Sequence, residues 1–212
     1  MSDLRGRVGG WLVPVARRSP LSPNTLTLLA LASNLAAAAA LASAGRWAWG
    51  YPTAILLATA GGTLDILDGV VARVQGLASR WGDFLDHVSD RISDVALLTG
   101  WIVGAGVSAP IGLLALIGVM LNGYAGTQIE ASFGTREYHT TGRVEYYAAI
   151  LGFPMLAWLG GAKVEATRVA GLPLLDLLTL ALAVFALIGV GQRLVHARSL
   201  ARRADSSRPP VK

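Results

Sequence analysis

From Leu26 to Ala44 the chain runs without a single charged residue, and an apolar run of that length is what a helix needs to cross a bilayer, about 20 residues. Such a run cannot be hidden in a small soluble core. It recurs along the chain. Further apolar stretches run from about Trp49 to Val74, Phe84 to Val107, Pro110 to Ala131, Val144 to Gly160 and Leu172 to His196. Composition agrees: 53% of the 212 residues are hydrophobic and 15% charged, where a soluble domain carries about 25% charged residues. Six spans of about 20 residues take roughly 120 positions, so no large extramembrane domain fits. The expected fold is all-α, a polytopic membrane protein with six transmembrane helices and an N-terminal amphipathic interfacial helix.

Residues 1–20 form that first helix, with Arg5, Arg7, Arg17 and Arg18 around Trp11, Leu12, Val13 and Val15, a pattern suited to lying on the membrane surface. Gly9, Gly10 and Pro14 interrupt the unbroken apolar core that a secretory signal requires. Asn24 is a candidate cap for the first span. Residues 21–200 form the six-span domain, and 201–212, with Ser206, Ser207, Pro209 and Pro210, read as a disordered basic tail. With six spans both ends share one side. Arg46, Lys163 and Arg168 fall in the opposite loops and Arg91 within a span, leaving 14 of the 18 basic residues on the side of the termini. The positive-inside rule therefore places both termini and the 75–83 and 132–143 loops in the cytoplasm of a multi-pass cell-membrane protein. The absence of cysteine excludes thiol catalysis, disulfides and thiolate metal sites. Aromatic residues are not interleaved with a basic block, so no nucleic-acid partner is expected. The alanine-rich stretch Ala36 to Ala40 reads as close helix packing.

The chemistry concentrates in Leu64 to Asp94, where Asp65, Asp68, Asp83, Asp86, Asp90 and Asp94 lie in or beside two apolar spans. Each charge at bilayer depth costs at least about 2.5 kcal/mol, so something must compensate them. Asp65 and Asp68 are three apart on one helix and Asp86 and Asp90 four apart on the next, so each pair shares a face. With the two helices antiparallel neighbours joined by a short loop, all four carboxylates converge at one depth near the cytoplasmic surface. Four oxygen donors suit a hard cation, Mg²⁺ or Mn²⁺, and Mg²⁺ held by carboxylates usually also holds phosphates. Gly69, Ala72, Gly76, Ala78, Ser79 and Gly82 leave room beside them, and Arg73 can reach a phosphate at the mouth.

The string Asp65-x-x-Asp68-Gly69-x-x-Ala72-Arg73, eight residues, then Gly82-x-x-x-Asp86-x-x-x-Asp90 resembles the signature of the CDP-alcohol phosphotransferase family at every fixed position. The Pro23-Asn24-Thr25-Leu26-Thr27 opening of the first span looks like the family too. The resemblance implies a phospholipid-biosynthetic transferase that binds a CDP-lipid donor, such as CDP-diacylglycerol or an ether analogue, through two Mg²⁺ or Mn²⁺ ions. A polar alcohol attacks and CMP leaves. It implies Asp65, Asp68 and Asp86 as metal ligands, Asp90 as general base and further ligand, and Gly69, Ala72, Arg73 and Gly82 together with Asp65 and Asp68 around the cytidine and diphosphate. It also implies a homodimer in contact with membrane lipids, with its active site facing the cytoplasm.

Asp83 reads as a solvated loop residue and Asp94 as a supporting neighbour of Asp90 or a partner of Arg91. His87 sits one position off the aspartate face and reads as a packing or surface residue, while Glu130 and Glu145 could help bind a polar acceptor. For the acceptor, Arg91, Arg136, Arg143 and Arg193 could form an anion pocket suited to inositol phosphate or glycerol phosphate. Family members that take inositol phosphate carry Lys-x-Arg before Ala-Glu-Ala late in the fourth span, where this chain has Gly126-Thr127-Gln128 before Ile129-Glu130-Ala131. Asp90-Arg91-x-Ser93-Asp94 nevertheless resembles that subgroup, and an uncharged alcohol stays open as acceptor. An intramembrane prenyltransferase would be larger with widely separated aspartate motifs, and a cation transporter would not explain the Gly-x-x-Ala-Arg spacing.

Overall fold

The structure, a computed structural model, describes residues 12–135 and 143–206. A helical segment α1 over residues 12–18 leads into α2 (Pro23–Ser43). Helix α2 starts earlier than its apolar run because Ser22, not Asn24, caps it: the Ser22 hydroxyl accepts the Thr25 N–H at 3.2 Å, and Pro23 takes the first helical position, where its missing N–H costs nothing. Then follow α3 (Gly50–Val74), α4 (Arg80–Gly104), α5 (Ala109–Phe133) and α6 (Arg143–Gly160). A short α7 (Ala162–Ala166) and a two-stranded antiparallel turn of β1 (Arg168–Val169) and β2 (Leu172–Pro173) lead into α8 (Leu174–Ser206). That hairpin is a small departure from an all-helical chain.

Among the described residues four helices, α2, α3, α5 and α8, are long and apolar enough to cross a membrane. Helix α4 falls short because Arg80, Asp83, Asp86, Asp90, Arg91 and Asp94 line it, and α6 because its 18 residues include Arg143, Glu145 and Pro154. Helix α8 is 33 residues, about 50 Å at 1.5 Å per residue, well beyond a 30 Å hydrocarbon core. It carries helical structure through Ser206, six residues into the stretch expected to be a disordered tail, and the remainder of that stretch lies outside the described residues.

Helix α2 sits at the centre of the N-terminal half. Both α3 and α4 pack on it and barely on each other, which corrects the expectation that the two aspartate helices are direct neighbours. Small residues allow this: Ala37, Ala38 and Ala40 are buried, and a Cβ at Gly100 or Gly104 of α4 would overlap the carbonyl oxygens of Ala38 or Leu41. The alanine-rich run is thus the close-packing seam expected of it. Helix α5 packs on α8 and α4, and α6 on α3 and α8. The segment α1 docks through Ala16 against Leu26, Val70 and Val71. Gln75, just after α3, pins it there by donating to the carbonyls of Ala16 at 2.8 Å and Ser19 at 3.1 Å.

Candidate active site

The turn between α3 and α4 is closed at both ends by its own residues. Gln75 donates its backbone N–H to Val71 O at 2.9 Å, and the Ser79 hydroxyl caps α4 by accepting the Gly82 N–H at 3.0 Å. Because α2 holds the helices apart behind this turn, their facing sides border a cleft. Asp65 and Asp68 enter it from α3 and Asp86 from α4, each offering a carboxylate oxygen, with all three oxygens within 4.8 Å of one another. Three like charges at that separation repel strongly in a medium less polar than water. Oxygen-only donors so closely set fit a hard divalent cation, Mg²⁺ or Mn²⁺, rather than a softer metal.

Asp68 is the most enclosed of the three, only 6% exposed. Its Oδ2 accepts a 2.6 Å hydrogen bond from the Thr27 hydroxyl of α2, a contact of the kind that fixes a ligand's orientation. Thr27 thus joins the site from a helix whose sequence reads as plain membrane span. Its signals in the sequence are its place one turn inside a capped helix start and the family-like Pro23-Asn24-Thr25-Leu26-Thr27 opening, neither of which assigns it a role.

Asp90 stands one turn beyond Asp86 and outside the triad of close oxygens. With Asp65, Asp94, Ser89, Asn34 and Thr27 it lines an adjoining polar cavity of about 20 Å³, room for about one water. The Ser89 hydroxyl there is buried and has no hydrogen-bond partner among the described residues. Asn34 donates to Ser93 at 3.2 Å and Tyr146 to the Asp94 carbonyl at 2.9 Å, so α2 and α6 also brace this stretch of α4. At the mouth, the Arg73 guanidinium lies over Gly69, 3.3 Å from where a Cβ would stand, and the Asn24 side-chain oxygen lies 3.1 Å from the corresponding point at Gly82. Ala72 is half-buried beside them. Larger side chains at 69 or 82 would crowd these polar neighbours.

The acceptor candidates divide. Arg91 pairs with Asp94 at 3.0 Å and approaches Asp90 at 3.9 Å. Arg193 of α8 donates to the Asn122 carbonyl of α5 at 2.6 Å. Arg136 and His139 lie outside the described residues, as does the side chain of Arg143, whose backbone opens α6. The His87 Nδ1 is 2.7 Å from the Asp83 carbonyl and its Nε2 3.7 Å from Glu130, joining α4 to α5.

Residues 20–174 match the family described as CDP-alcohol phosphatidyltransferase. A phosphatidylinositol phosphate synthase of Streptomyces avermitilis is 38% identical over 92 residues, 42% of this chain and 36% of that protein. An archaetidylinositol phosphate synthase of Pyrococcus horikoshii is 34% identical over 116 residues, 54% of this chain and 59% of that protein. The matches thus span between about a third and three fifths of these relatives' length. Among solved structures, the phosphatidylinositol phosphate synthase of Mycobacterium tuberculosis with CDP-DAG bound superposes with a TM-score of 0.66 at 26% identity, covering 88% of this chain and 92% of that one. The same protein in complex with manganese and citrate gives 0.66, covering 89% of each chain.

Proposed function

Because the chain belongs to the CDP-alcohol phosphatidyltransferase family, we propose that it moves a phosphatidyl-type group from a CDP-lipid to a polar alcohol and releases CMP. The observation that carries this reading is the triad of Asp65, Asp68 and Asp86, with oxygens within 4.8 Å of one another, opening beside a loop of small residues. The names of its relatives and the CDP-DAG and manganese bound by its structural neighbour support the donor and the metal.

In this reading Asp65, Asp68 and Asp86 hold Mg²⁺ or Mn²⁺, with Asp90 completing the set for a second ion. A cation held there would supply positive charge to the diphosphate and to departing CMP. Gly69, Ala72 and Gly82 admit the cytidine and diphosphate, and Arg73 supplies a cation at the mouth. A carboxylate oxygen of Asp90 takes the proton of the attacking hydroxyl as its oxygen bonds the distal phosphorus and the bond to CMP breaks. Asp90's place one turn from the triad, beside a polar cavity, suits a group that handles a proton more than one that only binds metal.

The membrane placement belongs to the same proposal. Helices α4 and α6 cross along with the four apolar ones, α1 lies at the surface, and both termini and the carboxylates face the cytoplasm. A lipid diphosphate then stays near water while its chains stay in hydrocarbon. Residues 21–200 act as the catalytic domain in a homodimer. The acceptor is a phosphorylated alcohol, inositol phosphate or glycerol phosphate, supported by the relatives' names and by Arg91 and Arg193, which reach α5 from α4 and α8. The uncharged Gly126-Thr127-Gln128 stretch favours a second reading, an unphosphorylated alcohol. Purified protein with Mn²⁺ and CDP-diacylglycerol, given inositol phosphate, glycerol phosphate, inositol or glycerol in turn, is expected to release CMP with a phosphorylated alcohol alone and to stop in excess EDTA. Equal CMP release without added alcohol, or undiminished release in EDTA, contradicts the proposal.

A further inference from the structure

Ser89 stands between Asp86 and Asp90 on α4 and is 6% exposed, and its buried Oγ has no hydrogen-bond partner among the described residues. A serine inside a helix can bond the carbonyl one turn back; this one does not. Leaving a buried hydroxyl unmet is costly, so the group calls for a partner that the neighbouring side chains do not supply. Ser89 also lines the polar cavity of about 20 Å³ beside Asp65, Asp90 and Asn34. That volume takes one water, and the walls carry the polar groups that a buried water needs.

The helices around the cavity are fixed by their own contacts. Asn34 of α2 donates to Ser93 at 3.2 Å, and Tyr146 of α6 donates to the Asp94 carbonyl at 2.9 Å, so α4 is tied on two sides and cannot close over the space. Its occupant has to satisfy the Ser89 hydroxyl and also sit beside carboxylates. A cation accepts no hydrogen bond and leaves the hydroxyl proton unplaced. A water accepts from Ser89 and donates its own two protons. Whatever else Asp65 and Asp90 bond, each carboxylate has about four acceptor positions, so those protons find takers.

We propose that the cavity holds one ordered water bound by the Ser89 hydroxyl, and that this water orients the Asp90 carboxylate toward the attacking alcohol. Ser89 is then a positioning residue that acts on Asp90 through the water and touches no substrate. The orienting role rests on the reading of Asp90 as the proton acceptor. The water itself does not.

Two measurements test the two parts. A crystal structure of the wild-type protein with Mn²⁺, with data collected at the manganese edge, is expected to show a water within hydrogen-bond distance of Ser89 Oγ and an Asp90 oxygen, without anomalous scattering. Manganese in that position, or a Ser89 hydroxyl turned onto its own helix with no water beside it, overturns the site. The kinetic arm compares Ser89→Ala and Ser89→Gly, with Ser33→Ala as control, since the Ser33 hydroxyl ties α2 to α3 through the Leu57 carbonyl at 2.8 Å. With the alcohol that the wild type uses, Ser89→Ala is expected to lower kcat about tenfold or more, the lower end for groups that orient a working residue at a metal site, with donor KM and Mn²⁺ affinity close to wild type. Ser89→Gly makes room for a second water where the hydroxyl stood and is expected to recover most of that loss, although glycine is the weaker helix former. Ser33→Ala is expected to leave the kinetic constants unchanged. A side chain needed only for packing predicts the reverse order, glycine worse than alanine; that order, or an unchanged kcat in Ser89→Ala, overturns the orienting role. If Ser89→Gly does not fold, the kcat of Ser89→Ala against its donor KM decides. A wild type that releases no CMP with any alcohol sinks the transferase reading instead, and the density beside Ser89 still decides the water.

Discussion

Asp68 and Asp176 are buried to nearly the same degree, 6% and 4% exposed, yet they sit in opposite kinds of surroundings. Asp176, in the first turn of α8, accepts the Ser108 N–H at 3.2 Å and so caps α5, while one turn on Thr179 accepts the Trp101 indole N–H at 2.9 Å and donates to Leu175 O at 2.8 Å. Around it Trp101, Leu175, Leu182 and Ala183 are closed against water. Asp68 instead faces the Asp65 and Asp86 carboxylates across a cleft, with one hydroxyl donor from Thr27. A carboxylate met by donors joins helices; a carboxylate met by carboxylates is stable only once something else supplies positive charge. The difference separates structure from site more sharply than burial does.

The comparison can be pressed hardest at Asp90, proposed mainly to take a proton and only secondarily to complete the set for a second ion. Asp90→Asn is expected to lower turnover by at least about 10²-fold while leaving binding of the CDP donor in Mn²⁺ close to wild type. Loss of donor binding equal to that of Asp68→Asn would merge Asp90 with the triad and remove its separate role. A smaller effect is expected at Thr27. Thr27→Val keeps the shape of the side chain and removes the donor to Asp68, and should weaken Mn²⁺ affinity by about 10- to 100-fold, the range for groups that orient a metal ligand. Unaltered affinity in that variant makes the 2.6 Å bond a helix contact like Trp101 to Thr179.

Much of this site is legible in the chain itself, because aspartates spaced three and four apart in apolar surroundings have no inexpensive structural explanation. Thr27 is marked only by the family-like opening of α2, which gives it no role: a threonine in a spanning helix bonds its own backbone at no cost, as Thr27 also does to Pro23 O at 3.1 Å. The position of α2 between the aspartate helices is equally hidden. A short loop says that α3 and α4 are joined, not that they touch, and the cause lies in Gly100 and Gly104 meeting the alanines of α2. Asn24 and Ser22 are both residue types that cap well, and Pro23 between them decides which one lies outside the helix. The reach of α8 past residue 200 was masked by polar composition, which reads as disorder unless the preceding helix simply continues. Arg193 is visible as a basic residue near a span's end, but its bond to the Asn122 carbonyl depends on a neighbouring helix that no local pattern specifies.

The central claim is that Asp65, Asp68 and Asp86 make a divalent-cation site while the equally buried Asp176 does not. Titration of the purified protein with Mn²⁺, followed by the loss of the free-ion electron paramagnetic resonance signal, tests it without reference to any substrate. The account predicts saturable binding in the wild type and in Asp176→Asn, and binding weakened by about 10-fold or more in Asp68→Asn, from which a ligand's charge is gone. Equal Mn²⁺ affinity in the wild type and Asp68→Asn would contradict it.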